Sequence, residues 1–99
     1  MSSSADDLNQ PVATDVTVSE ERLIVELSDG REIAVPISWY PRLEHATPEE
    51  LGRWQLIGKG HGIHWEDLDE DISVPALLAG KPSAEASESL QRWLSSRDA

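Results

Sequence analysis

"RLIVELSDGREIAVPI" (Arg22–Ile37) is the stretch whose reading decides the fold. Asp29-Gly30 between two apolar runs is a hairpin signal, because these residue types accept the positive φ of tight turns. Side chains alternate between the two faces of a strand, so the turn length decides which residues share a face. A two-residue Asp-Gly turn puts Leu23, Val25 and Leu27 on one face and Ile33, Val35 and Ile37 on the other. A one-residue bulge or a three-residue loop brings both sets to the same face. A chain of 99 residues has little material with which to cover two faces, so the bulged arrangement is expected. Pro36 suits an edge strand or a strand end, since it cannot donate to the ladder.

Upstream, Val12, Thr14, Val16 and Val18 alternate with Ala13, Asp15 and Thr17, the pattern of a half-buried first strand. The preceding "MSSSADDLNQ" is polar and reads as a disordered leader over residues 1–10. It has neither the basic start nor the apolar run of a signal peptide or membrane anchor, so a cytoplasmic protein is expected. Downstream, "TPEELGRWQLI" opens a short helix: Thr47 as N-cap, Pro48 at the first position and Glu50 completing a capping box. Leu51 and Trp54 are expected to point inward from it. "QLIGKGHGIHW" returns to a strand interrupted by Gly58, Gly60 and Gly62, and "SVPALLAGKP" gives one helical turn. In the tail, Ser83 is the expected cap of a second helix whose apolar stripe is Ala86, Leu90, Trp93 and Leu94.

These elements make an α+β fold: a small antiparallel sheet, built from the hairpin and additional strands, packed with short helices. A single domain spans residues 11–80, and residues 81–99 form a C-terminal helical extension that packs on its own domain or on a second copy, with a homodimer the favoured outcome.

Eight basic against nineteen acidic residues give a net charge of −11. Nucleic-acid binding draws on Lys and Arg that displace phosphate counterions, and Arg22, Arg31, Arg42 and Arg53 are scattered singly. The chain alone is therefore read as no nucleic-acid binder, and a basic protein partner is favoured in association rate more than in affinity. The absence of cysteine excludes disulfides, Cys-ligated zinc and thiol chemistry. The aromatic area comes from four Trp and Tyr40, with no Phe, so at least three of the Trp are expected to be structural.

The most unusual stretch is "GHGIHWEDLDED" (Gly60–Asp71), with two histidines, a tryptophan and five carboxylates. His61 and His64 are three apart. In a strand they face opposite ways and cannot share one ion, so a metal or small-ligand site using His61, His64 and Glu66 is the minor alternative. Asp67, Asp69 and Asp71 match positions 1, 3 and 5 of a calcium loop. Ile72 replaces its turn glycine and Leu78 its closing glutamate, so an acidic solvated turn is the better reading, with Leu68 and Ile72 packed inward. Gly58-Lys59-Gly60 lacks the Lys-Ser/Thr pair of a phosphate loop, and no nucleophile elbow is present. Glu66 and Asp67, adjacent at an exposed strand end, lack the separated environments of an acid–base pair. No enzyme and no cofactor are expected. Ile63 and Trp65 share the core face, and His64 on the opposite face can pair with an acidic neighbour or meet a partner.

The motif order goes further. "WYPRL" (Trp39–Leu43), "ATPEEL" (Ala46–Leu51) and "GIHWEDLDEDISVPALL" (Gly62–Leu78), after a hairpin with an Asp-Gly turn, resemble the small bacterial family known as domain of unknown function 2442. Many members carry Pro after the Trp, where Glu66 stands here. The resemblance covers roughly Val12 to Gly80 and implies a compact α+β domain with no established enzymatic activity. It also implies contexts: some members are fused to a helix-turn-helix DNA-binding domain, others encoded beside another small protein, as in toxin–antitoxin pairs. Residues 82–99 are too few for a helix-turn-helix domain. The functional expectation is a non-catalytic interaction protein, the acidic, antitoxin-like or regulatory partner of a two-gene module, with Tyr40, His64, Glu66, Asp67 and Trp93 as the candidate partner surface. A DNA-associated regulator acting as a dimer is the further alternative.

Overall fold

The computed structural model describes residues 10–98, the side chain of Asp98 excepted; the expected leader lies outside the described residues except for its last position. Strands β1 (Ala13–Val18), β2 (Arg22–Leu27) and β3 (Glu32–Pro36) form an antiparallel sheet in the order β1-β2-β3. Leu23 pairs with Val35 and Val25 with Ile33, the register of a three-residue loop over Ser28-Asp29-Gly30. Leu27 N–H donates to Arg31 O at 2.8 Å, and Gly30 takes a φ of +91°. The bulged turn places Leu23, Val25, Leu27 and Val35 together in the core, with Ile33 half-buried beside them.

β1 departs from its expected alternation. Ala13 and Val16 are buried while Thr14 and Asp15 are exposed. Ala13 pairs with Leu27 but Asp15 with Glu26, so Thr14 is the extra residue of a bulge that inverts the phase of the strand. Its hydroxyl donates to Glu26 O at 3.2 Å.

After a 3₁₀ turn (Ile37–Trp39) come α1 (Pro41–Glu44) and α2 (Pro48–Leu51). The capping box forms as expected: Thr47 Oγ1 accepts from Glu50 N–H at 3.2 Å, and Glu50 Oε1 accepts from Thr47 N–H at 2.9 Å. Trp54 already belongs to the next strand. A second antiparallel sheet follows, β4 (Trp54–Ile57), β5 (Gly62–Trp65) and β6 (Glu70–Ser73). The expected interrupted strand is thus a hairpin, turned by positive φ at Gly58, Lys59 and Gly60. The acidic segment is a turn only over Glu66–Asp69; Glu70 and Asp71 enter β6. Asp and Glu are poor strand formers, and here pairing with β5 overrides that preference.

α3 (Val74–Leu78) starts where Ser73 Oγ accepts from Ala76 N–H at 3.2 Å. α4 (Ser87–Asp98) begins later than expected, because Ser83 does not cap it. The Ser83 hydroxyl instead accepts from Glu85 N–H at 3.2 Å, closing a local turn.

One core lies between the sheets, joining Leu23, Val25 and Val35 to Ile63, Trp65, Leu68, Ile72 and Val74. Trp65 is wholly buried, and its indole N–H donates to Leu51 O at 3.1 Å. Trp39, Trp54 and Trp93 pack against this core. Where the sheets meet, Gly60 approaches β1 so closely that a Cβ would lie 2.8 Å from Ala13 O. The segment just ahead of α4 is held to the domain by Arg42–Glu85 (2.6 Å), and α4 itself by Arg97–Glu50 (2.6 Å). The guanidinium carbons of Arg42 and Arg97 lie 5.1 and 4.6 Å from the centroid of the Trp93 ring.

Candidate functional site

Directly opposed residues of an antiparallel pair share a face. Glu70 opposes the buried Trp65, so its carboxyl turns to the core side, with Ile72 two residues on. It lines a recess of about 250 Å³ together with Tyr40, Asp71, Ser73, Lys81 and Ser83. Tyr40 is 4% exposed, and its hydroxyl has no hydrogen-bond partner among the described residues. Burial pushes this phenol up to about 12, the charge of Glu70 adding to the effect. Burial likewise pushes Glu70 up to about 7. Arg42 opposes that shift, and Glu85, Asp71 and Asp69 reinforce it.

Arg42 is already committed. Its Nε donates to both Glu85 oxygens at 2.9 and 3.0 Å, and its Nη1 to the carbonyls of Leu68 and Asp69 at 3.0 and 3.2 Å. Hydrogen bonds from Arg42 hold the Glu85 carboxyl below its ordinary range, and Ser89 adds a bond at 2.8 Å. Among the described residues Glu70 is therefore left without an ion pair of its own.

The other face of β5 and β6 carries His64, opposite Asp71. Its Nε2 meets Glu66 Oε1 at 2.8 Å and its Nδ1 meets Asp71 Oδ1. Hydrogen bonds to these two carboxylates raise the imidazole pKa and favour the imidazolium, in which both ring nitrogens donate. A clamped imidazolium has no lone pair for a metal. His61 is exposed at the end of the β4–β5 turn, where its carbonyl accepts from Val74 N–H at 2.9 Å. Among the described residues no group of three or more His, Cys, Asp or Glu is placed to hold a metal ion.

Of the residues expected on a partner surface, His64, Glu66 and Asp67 come near one another, with Asp67 bound to Arg53 at 2.7 Å. Tyr40 lies in the core and Trp93 is covered by two guanidinium groups, so neither stands out as an exposed anchor. Glu70, Arg42 and Glu85 were missed. Reading "DEDIS" as a strand would have set Glu70 on the face of Ile72, by strand period alone.

A groove runs beside β1. Residues 16–20 line it consecutively, facing Pro48, Leu51, Gly52 and Trp54 across about 370 Å³. Val16, Thr17 and Val18 point alternately to opposite faces of the strand, so a groove touched by all three follows the edge of β1, and Ser19 and Glu20 carry it on into the turn. It continues past Pro48 and Leu51 into a further 280 Å³ lined by Leu43, Glu44 and Ala46. Glu20 and Glu44 are the charged residues along it.

A family model described as "Protein of unknown function (DUF2442)" matches residues 13–83. The chain belongs to this family. The matched span takes in both sheets, α3, and all six residues named around the Glu70 recess. A crystal structure of a protein of unknown function from Rhodospirillum rubrum ATCC 11170 is similar, with 37% identity and a TM-score of 0.67 over 80% of this chain and 98% of that one. A solution structure of an uncharacterized protein from Chromobacterium violaceum covers 91% of this chain and 82% of its own, with a TM-score of 0.66; at 22% identity it shows the fold alone. No curated protein matches the chain. DUF2442 membership assigns no activity to any of these residues. Among the described residues no helix is long and apolar enough to cross a membrane.

Proposed function

We propose that the chain is a non-catalytic interaction protein that receives an extended, basic segment of a partner along the Val16–Val18 edge of β1. The observation that carries this reading is the groove itself. Its floor is apolar (Val16, Val18, Leu51 and Trp54), and the charges along it are of one sign. β1 pairs with β2 alone, and past Ala13, where Gly60 approaches it, its Val16–Val18 edge borders the groove and suits strand addition, in which main-chain bonds supply affinity and alternate side chains supply specificity. A partner strand with apolar residues facing the floor, and Lys or Arg reaching Glu20 and Glu44, complements both features. The net charge of −11 speeds its encounter. Engagement of both His64 ring nitrogens supports the non-catalytic reading, since a general base needs a free one. On this reading the chain is the acidic component of a two-gene module, its partner encoded nearby.

Selection from a displayed library of random peptides, each ~10 residues to match a strand with its flanks, tests the reading. Enrichment of apolar residues alternating with Lys or Arg is expected. Joint replacement Glu20→Lys and Glu44→Lys should weaken the selected peptides about tenfold. Enrichment of acidic sequences, or affinity indifferent to that charge reversal, refutes the groove. In co-expression, the product of the adjacent gene should co-purify with the native chain and be lost with the double variant.

A further inference from the structure

We infer that the recess between β6 and residues 81–84 is a binding site for a primary ammonium group, with Glu70 as its counter-ion and Tyr40 as a neutral acceptor. The site is separate from the groove along β1 and stands or falls independently of it.

Four observations converge on a cation of this kind. Glu70 projects from the core side of β6, and no hydrogen bond reaches its carboxylate among the described residues. A charge partly withdrawn from water gains from a partner. The hydroxyl of Tyr40, buried in the same recess, also lacks a partner. Buried polar groups without partners are rare and point to an unmet interaction. The nearest fixed cation, Arg42, cannot turn to Glu70 without giving up Glu85 and the carbonyls of Leu68 and Asp69. Lastly, the charged residues lining the recess are two carboxylates, Glu70 and Asp71, against one cation, Lys81.

The dimensions narrow the ligand. About 250 Å³ is smaller than the roughly 300–1,000 Å³ of pockets for drug-sized molecules, so a head group on a short stem fits and a nucleotide does not. An ammonium has three donors in a compact head. Glu70, Tyr40 and Ser83 line the recess, and each carries an oxygen able to accept one of them: the carboxylate, the phenol buried behind the wall, and a hydroxyl that already accepts from Glu85 N–H. Lys81 also lines it from an exposed position and is the intramolecular competitor. A free alkylamine and a lysine side chain on another protein share this chemistry.

The test uses the full chain at about pH 8, where Glu70 is ionised, and follows backbone amide NMR shifts. The probes are n-butylammonium chloride and Nα-acetyl-lysine methylamide, with tetramethylammonium chloride, which has no N–H donors, at equal ionic strength. Saturable shifts confined to residues 70–73 and 81–84 are expected with the first two probes and absent with the third. Glu70→Gln should weaken binding at least about tenfold and Tyr40→Phe about threefold. Glu66→Gln, on the other face of the sheet, should leave it unchanged. Tighter binding of the lysine amide assigns the site to a protein side chain, and tighter binding of butylammonium to a free amine. No saturable shift up to ~100 mM, far above millimolar affinity, overturns the inference. So does equal binding of tetramethylammonium, or unchanged binding in both Glu70→Gln and Tyr40→Phe.

Discussion

Replacing Glu70 with Gln keeps the shape of the side chain and removes its ionisation. In the folded chain Glu70 is pushed from 4.5 up to about 7, first by burial and then by neighbouring carboxylates against the pull of Arg42. Between those two values the folded state holds a proton that the unfolded state has released. Stability from this group is thus full below about pH 4.5, falls as pH rises towards 7, and stays low above it. At 1.36 kcal/mol per pH unit the interval corresponds to a penalty of about 3 kcal/mol at most. Solvent reaching the recess lowers it, so about 1–3 kcal/mol is expected. The variant should match the native chain at about pH 4.5 and exceed it by that amount at about pH 8.5. Urea unfolding followed by Trp fluorescence, with an unchanged denaturant slope, measures the difference directly. The Arg42–Glu85 and Arg97–Glu50 pairs titrate in both proteins and largely cancel. A stability gap that fails to widen between the two pH values would refute the placement of Glu70 on the core side.

Gly60→Ala should cost more than about 2 kcal/mol, because a φ of +89° is combined with a Cβ 2.8 Å from Ala13 O. Gly80→Ala, at φ +71° with nothing within 4 Å, should cost about 1 kcal/mol of backbone strain alone. Thermal unfolding of the two compares them, and equal costs would show that the sheets do not approach closely at Gly60. His64 should titrate above 6.5 by NMR, since Glu66 and Asp71 favour its charged form. Its contribution to stability is then full below 6.5 and lost as pH rises through the higher folded value, and His64→Gln should abolish that dependence. A midpoint at or below 6.5 would contradict the clamp. Arg42→Met should loosen α4, whose Trp93 it covers and whose Ser89 bonds Glu85: hydrogen exchange over residues 87–98 should speed up while β2 stays protected, with a loss of about 3–5 kcal/mol from the stranded Glu85. Unaltered protection of α4 would show that Arg42 does not hold it.

What could be read from the chain by itself was local. The first hairpin follows from one Asp-Gly pair and two apolar runs, and its bulged register from the need to bury both runs on one face; the capping box follows from Thr47 and Glu50, and the burial of Trp65 from its alternation with His64. The DUF2442 motifs carry the same short-range information. What only the tertiary structure decided depended on partners distant in sequence. The phase of β1 is inverted by a bulge that its pairing with β2 creates, and no residue near Thr14 signals it. Glu70 and Asp71 become a strand because β5 offers a ladder, although their types disfavour one. Trp93 reads in sequence as a candidate anchor, whereas in the fold its ring is covered by the guanidinium groups of Arg42 and Arg97. The division has one cause: turns and caps are decided by bonds a few residues long, whereas the inward direction of a strand side chain depends on what packs against it.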